Sequence, residues 1–282
     1  MAREWVINDY SGYKGLVLQQ CKPQNAGPGE IRLRIEAFAL NWGDMDLMLD
    51  RYSFSFNNFP ARIGMEATGI VDEIGEGVTG IELGTRYCTL PYFYFNKGAS
   101  ADFVTIDARY VTPAPKNLSA VESASVWMQF MTAYYPIVEL CKAAPGKHIL
   151  ATAATSTAGN AALNIGAIFG ANMIATTRFE ENRDYLLESG ASHVIVSGNN
   201  ELAATLRQMT DGRHDFVVRL GGQLEDLGPE LSQHILERRV QVLGSPLPRN
   251  QNVDGVLEQE GIGCRDPRLL RAGHGVSTDE VD

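Results

Sequence analysis

The stretch "HILATAATSTAGNAALNIGAIFGANMIATTR", His148 to Arg178, decides the fold. It reads as a short apolar strand, a turn of small residues, a helix and a second apolar strand. The pattern continues downstream. "EENRDYLLESG" is a helix closed by Gly190 as its C-cap. "SHVIVS" is a strand and "NELAATLRQMT" a helix. "DFVVRL" is a strand, "QLEDLGPELSQHILE" a helix broken at Gly228-Pro229, and "RVQVLG" a fifth strand. Apolar strands alternating with amphipathic helices predict a parallel sheet covered on both faces.

Upstream the period changes. "EIRLRIEA", Glu30 to Ala37, alternates Ile31, Leu33 and Ile35 with Arg32, Arg34 and Glu36, the period of a half-buried strand. "TGIVDEIG", "TRYCTL" and "ADFVTIDARYVT" are further short strands between glycine turns, which suggests a barrel-like, mostly antiparallel domain. Ser119-Ala-Val-Glu122 is a capping box, and a long apolar helix-like run follows it to Cys141. The expected organisation is a β-rich domain over residues 1–120, a dinucleotide-binding domain over 121–250 and a tail over 251–282. The tail is rich in Gly, Pro, Asn and Asp and has no sustained period.

Composition narrows the function. The chain has 282 residues, 44% of them hydrophobic, enough for a full core. Net charge is −10 and the pI near 5.0, a surface that a nucleic-acid backbone would repel. No run has the length of a membrane span, and "MAREWVINDY" lacks a basic-then-apolar signal. A cytoplasmic protein is expected. Cys21, Cys88, Cys141 and Cys264 have no metal-knuckle spacing and read as small buried apolar groups. The five histidines show no ligand spacing; His148 and His193 stand at strand starts.

The turn "TAATSTAGN" lacks Gly-x-Gly-x-x-Gly. Ser156, Thr157 and Gly159 take its place. A strand running into a small-residue turn and a helix can receive a pyrophosphate on free backbone N–H groups, and the hydroxyls can add bonds. An ordinary strand–helix turn, small for packing, has the same residues. The next strand ends in Thr176-Thr177-Arg178, where an NAD-binding unit places an acidic residue for the ribose hydroxyl. A carboxylate repels a 2′-phosphate and Arg178 attracts one, with Arg183 close behind. The alternative is that both arginines are solvated and paired with Glu180 and Glu181.

These residues resemble the medium-chain dehydrogenase/reductase superfamily, in its zinc-independent quinone-oxidoreductase-like branch. The resemblance runs from about Ile31 to Gly244. It is carried by "ALNWGD", "GMEATGIVDEIGEGV", "KGASADFVTI", "SVWMQFMTAY", "TAATSTAGNAAL", "IATTRFEENRDYLLESGASHVI" and the "LGG" of Leu220 to Gly222. It implies an α/β protein: a GroES-like β-rich catalytic domain, a Rossmann parallel-sheet domain and a cleft between them. In the zinc branch, a Cys and a His hold the metal where this chain has Asn41 and Met65, and an amide and a thioether make a poor zinc site. The implied chemistry is metal-free hydride transfer from NADPH to an enone, quinone or carbonyl.

By the same resemblance Asn41 lies near the nicotinamide, Thr132 meets the cofactor through its hydroxyl, and Gly221 belongs to the cofactor-contacting "LGG". Asn41 also reads as a turn asparagine, Asp44 as a helix N-terminal acid, and Thr132 as a mid-helix threonine bonded to its own backbone. Tyr52, Tyr92 and Tyr94 are candidate proton donors, and the aromatic loop around Tyr94 suits a flat, apolar substrate. A homodimer is a further expectation.

Two departures stand out. Val218-Arg219-Leu220 replaces the acidic-Pro-Val of relatives, and nothing after Gln251 resembles the sixth strand and the return to the catalytic domain. A sixth strand is therefore expected to be missing. The rival function is a redox-inactive, cofactor-binding relative, acting as a non-redox cyclase-type tailoring protein or a regulatory module.

Overall fold

In the first half, the alternation seen in the sequence becomes one face of a sheet. In the computed structural model, β3 (Glu30–Ala39) buries Ile31 and Leu33 completely while Arg34 and Glu36 are exposed. The alternation relaxes at Ile35, which is half-buried beside a register shift against β5 (Glu66–Ile74). β3 pairs antiparallel with β5 and with β7 (Phe103–Asp107). With β6 (Arg86–Thr89) and β8 (Val111–Pro113) they form a five-stranded sheet in the order β7-β3-β5-β6-β8. A smaller sheet, β2-β1-β4, joins β1 (Ala2–Ile7), β2 (Val17–Cys21) and β4 (Ala61–Arg62). Gly69 lies mid-strand because a side chain there would come within 2.5 Å of the Arg34 carbonyl oxygen.

Residues 1–52, 54–90, 97–196, 202–210, 216–218 and 242–243 are described by the structure. The expected tail over 251–282, with Tyr92, Tyr94, Arg219, Gly221 and Cys264, lies outside them.

The second sheet is parallel, in the order β11-β10-β9-β12-β13. Its strands are β9 (His148–Ala151), β10 (Asn172–Thr177), β11 (His193–Val196), β12 (Phe216–Val218) and β13 (Val242–Leu243). Five strands are thus in place among the described residues. α4 (Thr157–Ile168) packs Ala161, Ala162, Leu163 and Ile165 into a core with Ile149, Met173 and Leu186. Gly190, at φ +105°, closes α5 (Arg183–Glu188) as the sequence predicted, its N–H bonding the Leu187 carbonyl. α6 (Leu202–Thr210) follows β11.

The run from Ser119 is not one helix. The capping box forms, with Glu122 N donating to Ser119 Oγ and Ser119 N to Glu122 Oε2. It starts α2 (Ala120–Ala124), and α3 (Val126–Tyr134) begins again after Ser125. Tyr135–Leu140 then widens to π geometry. Pro136 is the physical reason: it has no N–H and its ring crowds the preceding turn. Among the described residues no helix is long and apolar enough to cross a membrane.

Candidate active site

α1 (Trp42–Met48) starts at Asn41, its N-cap residue. Two buried carboxylates fix that corner. Asp44 Oδ2 accepts the Asn41 N–H at 2.9 Å and Asp44 Oδ1 accepts the Gly64 N–H at 3.0 Å. The helix-terminal role read for Asp44 is therefore correct and incomplete, because the same carboxylate also ties α1 to the loop before β5. Glu66 Oε1 accepts from Asn41 Nδ2 at 3.2 Å, and Oε2 accepts the backbone N–H of Met128 in the first turn of α3 at 2.9 Å. Burial pushes the Asp44 carboxyl up to about 6 against the pull of its two backbone N–H bonds. Burial also raises Glu66, again opposed by its hydrogen bonds.

Met65 is 2% exposed and packs in an apolar cluster with Ile63, Leu47 and Phe56, against Tyr52, Met45 and Met128. Neither Met65 nor Asn41 suits zinc: one is a thioether inside a hydrocarbon cluster, the other an amide whose nitrogen is bonded to Glu66. Among the described residues no three His, Cys, Asp or Glu side chains gather as a ligand set. Tyr52 lies on the Met65 side of α1, and its ring approaches Gly43. Cys88 and Cys141 are buried, and burial pushes the Cys141 thiol up to about 12.

At the end of β9 the chain enters the small-residue turn. Ser156 is the N-cap of α4 and its Oγ accepts the Gly159 N–H at 3.1 Å. The N–H groups of Thr157 and Ala158 precede the first intrahelical bond and point outward, as the first amides of any helix do. Gly159 has a packing reason to be small: a side chain would meet the Ala153 carbonyl oxygen at 2.5 Å. Thr152, for which the sequence carries no signal, is 4% exposed, and its Oγ1 has no hydrogen-bond partner among the described residues. It follows Ala151, which pairs with Ala175 on one side and Val218 on the other. That is the seam where strand order reverses, the usual place for a ligand in an open parallel sheet. An orphaned hydroxyl and two open helix amides at this seam fit a pyrophosphate.

The two arginines have different surroundings. Arg183 is spoken for: its guanidinium bonds Glu180 through two nitrogens and the Val194 carbonyl through a third. That favours the paired alternative for Arg183. Arg178 is exposed, lies 5.7 Å from the Phe179 ring, and has no carboxylate partner among the described residues. Thr177 Oγ1 accepts from Asn182 Nδ2 at 3.0 Å and from the Phe179 N–H at 3.3 Å, which shapes the turn that presents Arg178.

Thr132 is exposed on α3, and its hydroxyl makes no hydrogen bond among the described residues, so it does not back-bond as mid-helix threonines often do. Thr132 stands one turn beyond Met128, on the same helix face. The structure thus links Asn41 and Glu66 to the first turn of α3, one turn before Thr132, and separately gathers Ser156, Thr157, Gly159 and Thr152 at the strand seam.

The chain carries an alcohol dehydrogenase GroES-like domain over residues 27–116. That domain and the fold around it are similar to those of the medium-chain dehydrogenase/reductase superfamily. It is 33% identical over 186 residues to the mycocerosic acid synthase-like polyketide synthase of Mycobacterium tuberculosis, covering 66% of this chain and 9% of that protein. It is 30% identical over 223 residues to a 2-haloacrylate reductase of Burkholderia sp, covering 76% of this chain and 64% of the reductase. Its fold is shared with Escherichia coli quinone oxidoreductase complexed with NADPH, at a TM-score of 0.73 and 22% identity, over 92% of this chain and 78% of that one. The chain therefore spans only 9% of the polyketide synthase and just under two thirds of the reductase.

Proposed function

We propose that the chain binds NADPH and reduces a small substrate with a polarised double bond, an enone or quinone, or a carbonyl, without a metal. One observation carries this most: the turn at Ser156 offers open helix amides, while Arg178, at the end of the neighbouring strand, has no carboxylate partner among the described residues. The spacing that otherwise places an acid for the ribose hydroxyl places a cation here. A 2′-phosphate supplies the missing counter-charge.

The bound nicotinamide would supply the hydride. The chain's own residues supply the rest. The Ser156 turn and Thr152 hold the pyrophosphate. Arg178 selects the phosphorylated ribose. Asn41 and Thr132 orient the reactive ring and position the substrate against it. Tyr52 is a candidate to return the proton that completes the reduction. The names of two relatives, a quinone oxidoreductase complexed with NADPH and a 2-haloacrylate reductase, support acceptors with an electron-poor double bond.

Fluorescence titration with NADPH and NADH, then NADPH consumption over a panel of enones, quinones and aldehydes, tests this. Tight NADPH binding with turnover is expected. Equal affinity for the two cofactors would sink the Arg178 assignment. Binding without consumption of any acceptor would favour the non-redox alternative.

A further inference from the structure

We propose that Glu66 is a positioning residue for this site: with one oxygen it sets which way the Asn41 amide faces, and with the other it holds the first turn of α3 beside it. The inference rests on the cofactor-binding function proposed above, because Asn41 and α3 are what that function places around the nicotinamide.

Glu66 is 2% exposed, so both its oxygens need partners. Oε1 receives Asn41 Nδ2 at 3.2 Å and Oε2 receives the Met128 N–H at 2.9 Å. Both partners are donors. The ionised carboxylate accepts from both, while a proton on either oxygen would face another proton. The positive end of α3 favours the same anion. The helix also needs it. Ser125, the N-cap of α3, makes no side-chain capping bond, and its hydroxyl donates backward to the Glu122 carbonyl at 3.1 Å. The cap comes instead from β5, sixty-two positions earlier.

The consequence for Asn41 is directional. A side-chain amide can turn end for end with almost no change of shape, exchanging Oδ1 and Nδ2. Opposite water both orientations are similar in energy. Opposite a carboxylate only one is tolerated, with Nδ2 inward. Asp44 meanwhile holds the Asn41 backbone, so the residue has neither a free main chain nor a free amide. The same carboxylate that orients Asn41 fixes the α3 turn whose face continues to Thr132.

Glu66→Gln separates orientation from support. Its carbonyl can still accept the Met128 N–H, which leaves an NH₂ facing position 41. Asn41 then turns over to present Oδ1. The tie survives and the amide is inverted. Thermal unfolding, NADPH titration, steady-state kinetics and side-chain amide NMR of the full chain read the result. In the unmutated protein one Asn41 Nδ2 proton should be shifted downfield and slow to exchange, and Glu66→Gln should lose that signal. Its melting point should stay within a few degrees. Its kcat should fall about tenfold, the scale of one misdirected hydrogen bond, with the substrate KM nearly unchanged. A folded Glu66→Gln protein with unaltered kcat overturns the proposal and leaves the NADPH function standing. If that variant does not fold, an Asn41 amide that exchanges freely in the unmutated protein still overturns it. An unmutated chain that binds neither NADPH nor NADH fails at the titration, which overturns the parent function and this inference together.

Discussion

Met65 presses so closely on Gly43 that a methyl group on the glycine would come within 2.8 Å of the methionine Cε and 3.3 Å of the Tyr52 ring. Met65 is a packed side chain of the apolar cluster, and the first turn of α1 is built around it. Met65→Leu should then cost less than about 1.5 kcal/mol, because it keeps volume and apolarity. Met65→His should cost about 1–3 kcal/mol, because it buries a polar ring among Ile63, Leu47 and Phe56. Urea denaturation of the two variants gives the comparison. A histidine variant as stable as the leucine variant would show that the cluster is looser than described.

Gly159 faces backbone, which cannot yield as a side-chain tip can. A Cβ there would lie 2.5 Å from the Ala153 carbonyl oxygen and 2.7 Å from the Ala154 Cα. Gly159→Ala should destabilise the chain by about 1–3 kcal/mol through overpacking, despite alanine's better helix propensity. It should also weaken NADPH, because the turn that presents the open amides must shift. A denaturation midpoint and a cofactor affinity both matching the unmutated protein would contradict the packing account.

Arg178→Ala should weaken NADPH at least about tenfold and leave NADH nearly unchanged, since a charge-assisted contact to phosphate is worth about 1.5–3 kcal/mol. Arg183→Ala should leave the ratio of the two affinities alone, because its guanidinium is already held by Glu180 and the Val194 carbonyl. If Arg183→Ala instead changes the ratio and Arg178→Ala does not, the two roles are exchanged.

Asp44 gives a pH signature whose sign is fixed by burial. Its carboxyl lies at about 6 in the folded chain against an ordinary value of 3.8. The native state therefore holds the proton more tightly than the unfolded state. Between those values stability should fall as pH rises, by up to about 3 kcal/mol across the window. Asp44→Asn should flatten that slope. It should also lower the Glu66 titration, because the Asp44 charge helps raise it. Unfolding free energies from pH 4 to 7 for both proteins are the check. Parallel pH curves would mean that Asp44 titrates elsewhere.

Features that depend on neighbours in sequence were legible before the structure. Ser119 and Glu122 cap α2 because a capping box needs only three-residue spacing. Gly190 ends its helix because its left-handed backbone suits glycine. Pro136 is legible too, but the apolar periodicity around it masks the break: a proline has no N–H to continue the ladder. The clamp on Asn41 was not legible. It joins residues 41, 44, 64, 66 and 128, and only the pairing of β3 with β5 and the packing of α3 bring them together. Thr152 carries no signal in the sequence for the same reason, since a hydroxyl without a partner among the described residues is defined by what surrounds it.

The order of the parallel strands also dictates a sequence of events in time. β9 lies between β10, its near neighbour along the chain, and β12, which arrives only after β10, β11 and α6 have been laid down. The half made of β9, β10 and β11 can assemble from local pairings. The join of Ile149 to Phe216 must first close a long loop, which slows it. Thr152 borders that late join, so the floor of the crevice is complete only near the end of folding. A ligand held there acts after the barrier. NADPH should slow unfolding and leave the refolding rate unaltered. Stopped-flow refolding with and without the cofactor would reveal an acceleration if the seam instead forms early.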